Sequence, residues 1–202
     1  MPDDHSLIYA SVATPGSPVA LTATMYNFDV QLSDVDRHVY ETLAIRAARH
    51  PSETEEFLST RVLAYCLEFA DGIDFGRGLS EPDEPALAVR DLTGALRVWI
   101  DVGSPDAARL HRASKAAPRT VVYTYKDPAV LARQLAESAD RIHRADAIEI
   151  RGISRLIVDA LVGGLERRTQ FGLAVTDGHL YLTIDGQTVE GAVTIEKPVQ
   201  SG

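Results

Sequence analysis

Residues 80–115 have the sequence SEPDEPALAVRDLTGALRVWIDVGSPDAARLHRASK, and their pattern predicts two strands followed by a helix. Apolar and polar side chains alternate from residue 95 to residue 103, as in a strand with one buried face. The apolar side chains of this strand are Leu96, Val98, Ile100 and Val102. The other face carries Arg97, Trp99 and Asp101, so the strand is expected to have a single apolar face.

A hairpin is predicted where this strand follows a shorter apolar run at residues 85–91. Residues 92–94, Leu-Thr-Gly, supply the turn chemistry between the two runs. Antiparallel pairing then brings Asp83 and Glu84, ahead of the first strand, toward Asp101 near the end of the second. Converging carboxylates repel one another unless a cation neutralises them, and Mg²⁺ binds one or two carboxylates while keeping several waters. The pattern therefore suggests a site for Mg²⁺ or Mn²⁺.

A helix is predicted directly after this strand. Ser104 is its expected N-cap, Pro105 its first helical residue, and Asp106 an acid placed favourably near its positive end. The helix is expected to end at Ala116 or Ala117. Its predicted buried stripe comprises Ala107, Leu110, Ala113 and Ala117.

Basic side chains recur at every third position of the same helix, at Arg109, Arg112 and Lys115. In phosphodiester hydrolysis a metal ion lowers the pKa of the attacking water, and a nearby cation stabilises the charge that develops on phosphorus. An acidic strand followed by a basic helix fits such a site. It also fits a hairpin with exposed acids and a helix with a solvated basic face, which is the commoner arrangement.

Four short motifs resemble, in the same order, those of the YaeQ family of bacterial proteins. They are HPSET at residues 50–54, DEP at 83–85, WIDVG at 99–103 and PDAARLHRASKAA at 105–117. The resemblance extends over residues 19–198, which we expect to form a single domain, and leaves residues 1–18 as an N-terminal extension. It implies an α+β or mixed α/β fold with a restriction-endonuclease-like PD-(D/E)XK core, in which helices flank a central mixed sheet.

The resemblance also assigns candidate site residues. Asp83, in the pair Pro82-Asp83, would be the first acidic residue of the nuclease pattern, and Asp101 the second. The position two residues beyond Asp101, which is lysine in that pattern, is Gly103 here. A catalytic cation would then come from the basic helix stripe, in which only Lys115 can transfer a proton, because arginine stays protonated.

Two further acids are ligand candidates by the same resemblance. The first core helix of the nuclease fold often contributes an acidic residue to the metal site, and here Glu53 and Glu56 share one face of the predicted helix. Acids in a first helical turn are also favoured by the helix dipole alone. A capping box is predicted from Ser52 to Glu55, so Ser52 is interpreted as a cap and His50 as a turn residue.

Composition restricts the classes of function. The chain has 202 residues, of which 45% are hydrophobic, as expected for one compact domain. The net charge of -9 argues against broad, sequence-independent binding to nucleic acid or anionic membranes, but not against a local basic groove. Cys66 is the only cysteine, which excludes an internal disulfide and fits a reducing cytoplasm. No signal peptide or membrane-spanning run is recognised, so we expect a cytoplasmic monomer or weak dimer.

The rest of the chain is predicted to alternate strands and helices. Strands are expected at residues 19–31, 119–125 and 147–150, and residues 37–48 fit a strand or a helix, with the alternation favouring a strand. Helices are expected at 52–69 and 127–143, a helix or helical turn at 154–167, and a three-stranded meander at 171–195. Turns at Asp177-Gly178 and Asp185-Gly186 divide the meander. We expect the meander to pair with the N-terminal strands.

Three functions stay open at this point. The first is a Mg²⁺- or Mn²⁺-dependent nuclease, with Asp83 and Asp101 as metal ligands and Glu84 or a helix glutamate assisting. Its substrate would contact Arg109 and Arg112, and its leaving charge would be stabilised by Arg112 or Lys115. The second is a catalytically inactive nuclease-fold protein that binds nucleic acid or a protein partner, for example in transcription. The third is a structural or regulatory protein whose acids serve solubility.

Overall fold

The computed structural model describes residues 23–76 and 83–198, in which ten strands form one mixed sheet and four α-helices pack against it. The strands are β1 (Thr24–Asp34), β2 (Val39–Arg49), β3 (Ile73–Phe75), β4 (Leu87–Arg90), β5 (Leu96–Val102), β6 (Arg119–Thr124), β7 (Glu149–Ile153), β8 (Arg168–Thr176), β9 (His179–Ile184) and β10 (Gln187–Glu196). The helices are α1 (Glu55–Leu67), α2 (Ala107–Ala116), α3 (Pro128–Ala136) and α4 (Arg155–Gly163). The predicted extension at residues 1–18 and the residue Pro82 lie outside the described residues.

The sheet has the strand order β2-β1-β8-β9-β10-β7-β6-β5-β4-β3. The pairs β1–β8, β5–β6 and β6–β7 are parallel, and the other neighbours are antiparallel. The predicted hairpin of β4 and β5 is confirmed, as is the meander of β8, β9 and β10. The meander joins the N-terminal strands through β8 and β1, as expected. The architecture is therefore mixed α+β.

Two layers of apolar side chains cover opposite faces of the central strands. On β6, Val121 and Tyr123 belong to the large core under α1 and α4, whereas Val122 belongs to a smaller cluster under α2 and α3. None of the helices within the described ranges is long and apolar enough to span a membrane.

Strand β5 corrects the expectation of a single apolar face. Ile100 belongs to the large core, but Trp99, on the opposite face, is also buried and packs with Ala113 of α2. Helix α2 folds back over this face because its small alanines allow close approach. Asp101 lies on the same covered face and is only 1% exposed.

The N-caps of two helices also differ from the prediction. Helix α1 is capped by Thr54, whose side chain accepts a hydrogen bond from the main-chain N–H of Phe57, and not by Ser52. Helix α2 is capped by Asp106 and not by Ser104. Each helix therefore begins two residues later than expected, because several neighbouring residues have cap-forming side chains and the fold selects one of them.

Helix α3 is shorter than predicted. It ends at Ala136 instead of about residue 143, and two short 3₁₀ turns follow, Ala139–Arg141 and Ala145–Ala147. These turns return Ile142 and Ala145 to the apolar cluster under α2 and α3.

Candidate functional site

The predicted acidic segments meet at helix α2. Nη2 of Arg109 donates one hydrogen bond of 2.7 Å to the main-chain oxygen of Glu84 and another of 2.7 Å to Oδ1 of Asp101. Because one nitrogen contacts both oxygens, the segment before β4 lies beside the end of β5. The structure thus brings together Glu84, Asp101 and Arg109.

Both carboxylate oxygens of Asp101 are engaged by the same arginine. Nε of Arg109 donates to Oδ2 at 2.8 Å, which completes a bidentate pair with the 2.7 Å contact at Oδ1. The guanidinium also lies 5.7 Å from the centre of the Trp99 ring. A carboxylate removed from water requires a charged or hydrogen-bonding partner, and a bidentate arginine is among the strongest. The geometry therefore gives Arg109 the role of neutralising Asp101.

The other predicted residues of this site lie at the surface. The side chain of Asp83 is 83% exposed and its Oδ1 lies 3.6 Å from Nε of Arg112, which is itself more than half exposed. An ion pair of this kind contributes little because water screens it. Lys115 is exposed and forms no ion pair with any residue of the described ranges. Arg112 and Lys115 are therefore available to an external anion.

The arrangement does not present a ready divalent-metal site. Within residues 23–76 and 83–198, no group of three or more His, Cys, Asp or Glu side chains could hold a metal ion. Mg²⁺ and Mn²⁺ prefer oxygen ligands, and both oxygens of the buried carboxylate are already hydrogen-bonded to Arg109. As arranged, these residues do not fit the ion.

Gly103 occupies a position that suits no other residue well. Its φ of +94° lies in the left-handed region, and a Cβ placed on it would lie 3.5 Å from the ring of Phe57. A lysine here would be strained by this backbone conformation, whereas its Cβ would make only an ordinary van der Waals contact with Phe57. The backbone conformation at this position thus favours glycine.

The two glutamates predicted to share a helix face form ion pairs of their own, and only Glu56 is in α1, because Glu53 precedes the N-cap Thr54. Oε1 of Glu53 accepts a hydrogen bond of 3.0 Å from Nη1 of Arg61, and both side chains are almost fully buried. Burial raises the pKa of Glu53, although the charge on Arg61 opposes the change. Glu56 lies 3.5 Å from Nη2 of Arg155. Neither glutamate forms a hydrogen bond or ion pair with Asp101.

A cluster of charges around the buried Glu68, which the sequence did not reveal, lies on the face of β6 that packs against α1. Glu68, at the end of α1, accepts hydrogen bonds from Arg119 at 2.6 Å and 3.1 Å and from the Tyr123 hydroxyl at 2.9 Å. Arg151 donates to Glu149 at 2.6 Å and 2.8 Å and also contacts Glu68 at 3.3 Å. The cluster joins α1 to β6 and β7, and no local motif links residues so far apart in sequence.

Comparison with known proteins places the chain in a family. The sequence model described as "YaeQ protein" matches residues 19–193. The chain belongs to the YaeQ family. A relative from Escherichia coli (strain K12), "Uncharacterized protein YaeQ", is 30% identical over 182 residues, which cover 87% of this chain and 97% of the relative. The protein of the same name from Salmonella typhi is 36% identical over 111 residues, which cover 55% of this chain and 61% of the relative.

Solved YaeQ structures share the architecture. The YaeQ protein from Pseudomonas syringae superposes with a TM-score of 0.78 and 32% identity, covering 86% of this chain and 95% of the other. The YaeQ protein from Xanthomonas axonopodis pv. citri gives a TM-score of 0.77 and 33% identity, covering 86% and 98%. The mixed α+β fold of this chain is therefore similar to that of both solved YaeQ proteins.

Proposed function

We propose that this YaeQ-family chain binds nucleic acid on a restriction-endonuclease-like PD-(D/E)XK scaffold, in which Asp101 stabilises the fold and does not hold a metal. The observation that carries the proposal is the buried bidentate pair of Asp101 and Arg109. A metal ion could reach the carboxylate only after Arg109 had released it. The carboxylate that would be central to a nuclease site is thus already paired with Arg109.

The exposed part of the basic stripe supports nucleic acid as the partner. Arg112 and Lys115 are exposed on α2, and Arg112 is held only by the weak contact with Asp83. Guanidinium and ammonium groups on a rigid helix bind phosphate oxygens and release counterions. The net charge of -9 restricts such binding to a local surface instead of the whole molecule.

The test is a binding assay with a matched pair of charge variants. We expect Arg112→Gln/Lys115→Gln to weaken binding of a labelled strand by at least about tenfold and to reduce the salt dependence by about two phosphate contacts. Fluorescence anisotropy would be measured over single-stranded, double-stranded and branched DNA and RNA at several salt concentrations.

The control is Arg46→Gln/Arg168→Gln, which removes the same charge from exposed positions on β2 and β8. Its affinity should stay within about twofold of the wild type. Equal losses in both double variants, or no binding to any nucleic acid, would overturn the proposal. The second result would favour a protein partner.

Metal-dependent phosphodiester hydrolysis is the second candidate function. The observation that favours it is the convergence of the Glu84 segment and Asp101 beside a basic helix. This candidate requires Arg109 to move away from Asp101 when substrate and metal bind. It predicts that a bound strand is cleaved when Mg²⁺ or Mn²⁺ is added, whereas the binding proposal predicts that the strand stays intact.

A further inference from the structure

A cleft of about 620 Å³ lies between the start of α2 and the 3₁₀ turn Ala139–Arg141. Its volume is within the range of small-molecule binding sites. The residues that line it are Asp106, Ala107, Ala108, His111, Arg112 and Arg141. It was not predicted from the sequence, because Arg141 reaches it from a turn that lies 30 residues after His111 in the chain.

The histidine of this cleft has a defined tautomer. Its Nδ1 lies 2.7 Å from the main-chain oxygen of Arg141, and a carbonyl oxygen can only accept a hydrogen bond. Nδ1 therefore carries a proton, which leaves Nε2 of the neutral ring as an acceptor or, once protonated, as a second donor. Nε2 has no hydrogen-bond partner within the described ranges.

Two guanidinium groups line the same cleft without strong partners. The side chain of Arg141 forms no hydrogen bond or ion pair with a described residue. Arg112 has only the exposed contact with Asp83 at 3.6 Å. Arginine binds phosphate through paired N–H donors, and a phosphate monoester carries more charge and more free oxygens than a diester. The cleft thus suits a terminal phosphate.

The remaining lining groups suit the rest of a nucleotide. Oδ1 of Asp106 accepts the N–H of Arg109 as the helix cap, and its second oxygen has no partner among the described residues. That oxygen can accept a hydrogen bond from a sugar hydroxyl. Ala107 and Ala108 have short side chains, which leave an apolar wall on which a flat base can lie.

We propose that this cleft binds a nucleotide bearing a terminal phosphate, with Arg112, Arg141 and His111 around the phosphate and Asp106 at the sugar. Either a free mononucleotide or the phosphorylated end of a strand supplies this chemistry. The strand-end form rests on the proposed function and makes it more specific. It assigns the end of a strand, rather than its middle, to this face of α2.

The experiment compares strands with different terminal groups and free mononucleotides, each with the wild type, one variant and one control. Anisotropy would be measured with labelled single strands that carry a 5′-phosphate, a 3′-phosphate or hydroxyls at both ends, and calorimetry with nucleoside 5′- and 3′-monophosphates. The variant is Arg141→Gln, which keeps the carbonyl that accepts from His111. The control is Arg46→Gln on β2, which removes one exposed charge elsewhere.

For the wild type we expect at least one phosphorylated end to bind about tenfold more tightly than the hydroxyl ends, and Arg141→Gln to lose that difference while Arg46→Gln keeps it. If strands bind equally well with and without a terminal phosphate and no mononucleotide binds, the cleft proposal is overturned and the proposed function stands. If no strand binds but a mononucleotide binds through Arg141, the proposed function fails and the cleft is supported. If neither binds, both are overturned.

Discussion

At the scale of single residues, Asp101 is the position whose environment the sequence did not reveal. Its place in the alternation of β5 was correctly predicted to be opposite Ile100, but the pattern could not show that α2 covers this face. Once covered, the carboxylate requires a partner, and Arg109 on the covering helix supplies two hydrogen bonds. The spacing of Arg109 from Arg112 indicated a shared basic stripe, yet the two arginines have different surroundings.

Substituting the two arginines separately tests this difference. We expect Arg109→Gln to lower the free energy of unfolding by about 3 kcal/mol, because it leaves a buried carboxylate without its charged partner. Arg112→Gln makes the same chemical change three residues along the helix. It should change the free energy of unfolding by less than about 0.5 kcal/mol, because the ion pair between Arg112 and Asp83 is exposed. Urea denaturation of both variants measures the effect. Equal losses would show that the Asp101 pair contributes no more than a surface contact.

At the scale of the elements, the sequence predicted the turns and strands that are specified by residues close together in the chain. The Asp-Gly turns fixed the meander of β8, β9 and β10, and the apolar, β-branched run of β6 identified a central strand. Helix ends were less predictable, since residues 50–54 contain several side chains that can act as caps. The start of α1 is selected by how the helix packs, including the buried Glu53–Arg61 pair.

The corrected cap of α1 gives a prediction with an internal control. Thr54→Ala should lower the free energy of unfolding by about 1 kcal/mol, because the N–H of Phe57 loses its acceptor. Ser52→Ala, at the position first predicted as the cap, should cost less than about 0.5 kcal/mol. Thermal and urea unfolding of both variants measure the difference. A larger loss at Ser52 would contradict the assignment of Thr54.

At the scale of the whole molecule, long-range charge pairs connect elements that the sequence could not place together. The cluster of Glu68, Arg119, Glu149 and Arg151 joins α1 to two parallel strands, and Arg109 joins α2 to the hairpin. The hairpin beside the candidate acids Asp83 and Asp101 was predictable, but the unequal burial of the two carboxylates was not. That inequality depends on the position of α2, which no single segment determines.

Glu149 and Glu53 should make opposite contributions to the change in the free energy of unfolding when the pH is lowered. Burial raises the pKa of Glu149, but the hydrogen bond and charge of Arg151 and the charge of Arg119 outweigh it and hold the pKa below its ordinary value. Its stabilisation is present above the ordinary pKa and is lost as the pH falls through the folded pKa. Glu53 has a raised pKa, chiefly through burial, so its contribution is present at low pH and is lost as the pH rises through the folded pKa.

The measurement is the free energy of unfolding in urea at about pH 6 and about pH 3. Relative to the wild type, Glu149→Gln should reduce the loss of stability on acidification, and Glu53→Gln should increase it. If both variants changed the loss of stability on acidification in the same direction, the environments assigned to Glu149 and Glu53 would be contradicted.

The central claim is that Asp101 belongs to the fold and that strand binding does not need a metal at this carboxylate. Its most direct test is the dissociation constant of a labelled strand, measured with Mn²⁺ and with EDTA, together with the length of the strand afterwards. We predict equal affinities within about twofold and an intact strand for both the wild type and folded Asp101→Asn. Mn²⁺-dependent binding or cleavage by the wild type that Asp101→Asn abolishes would contradict the claim.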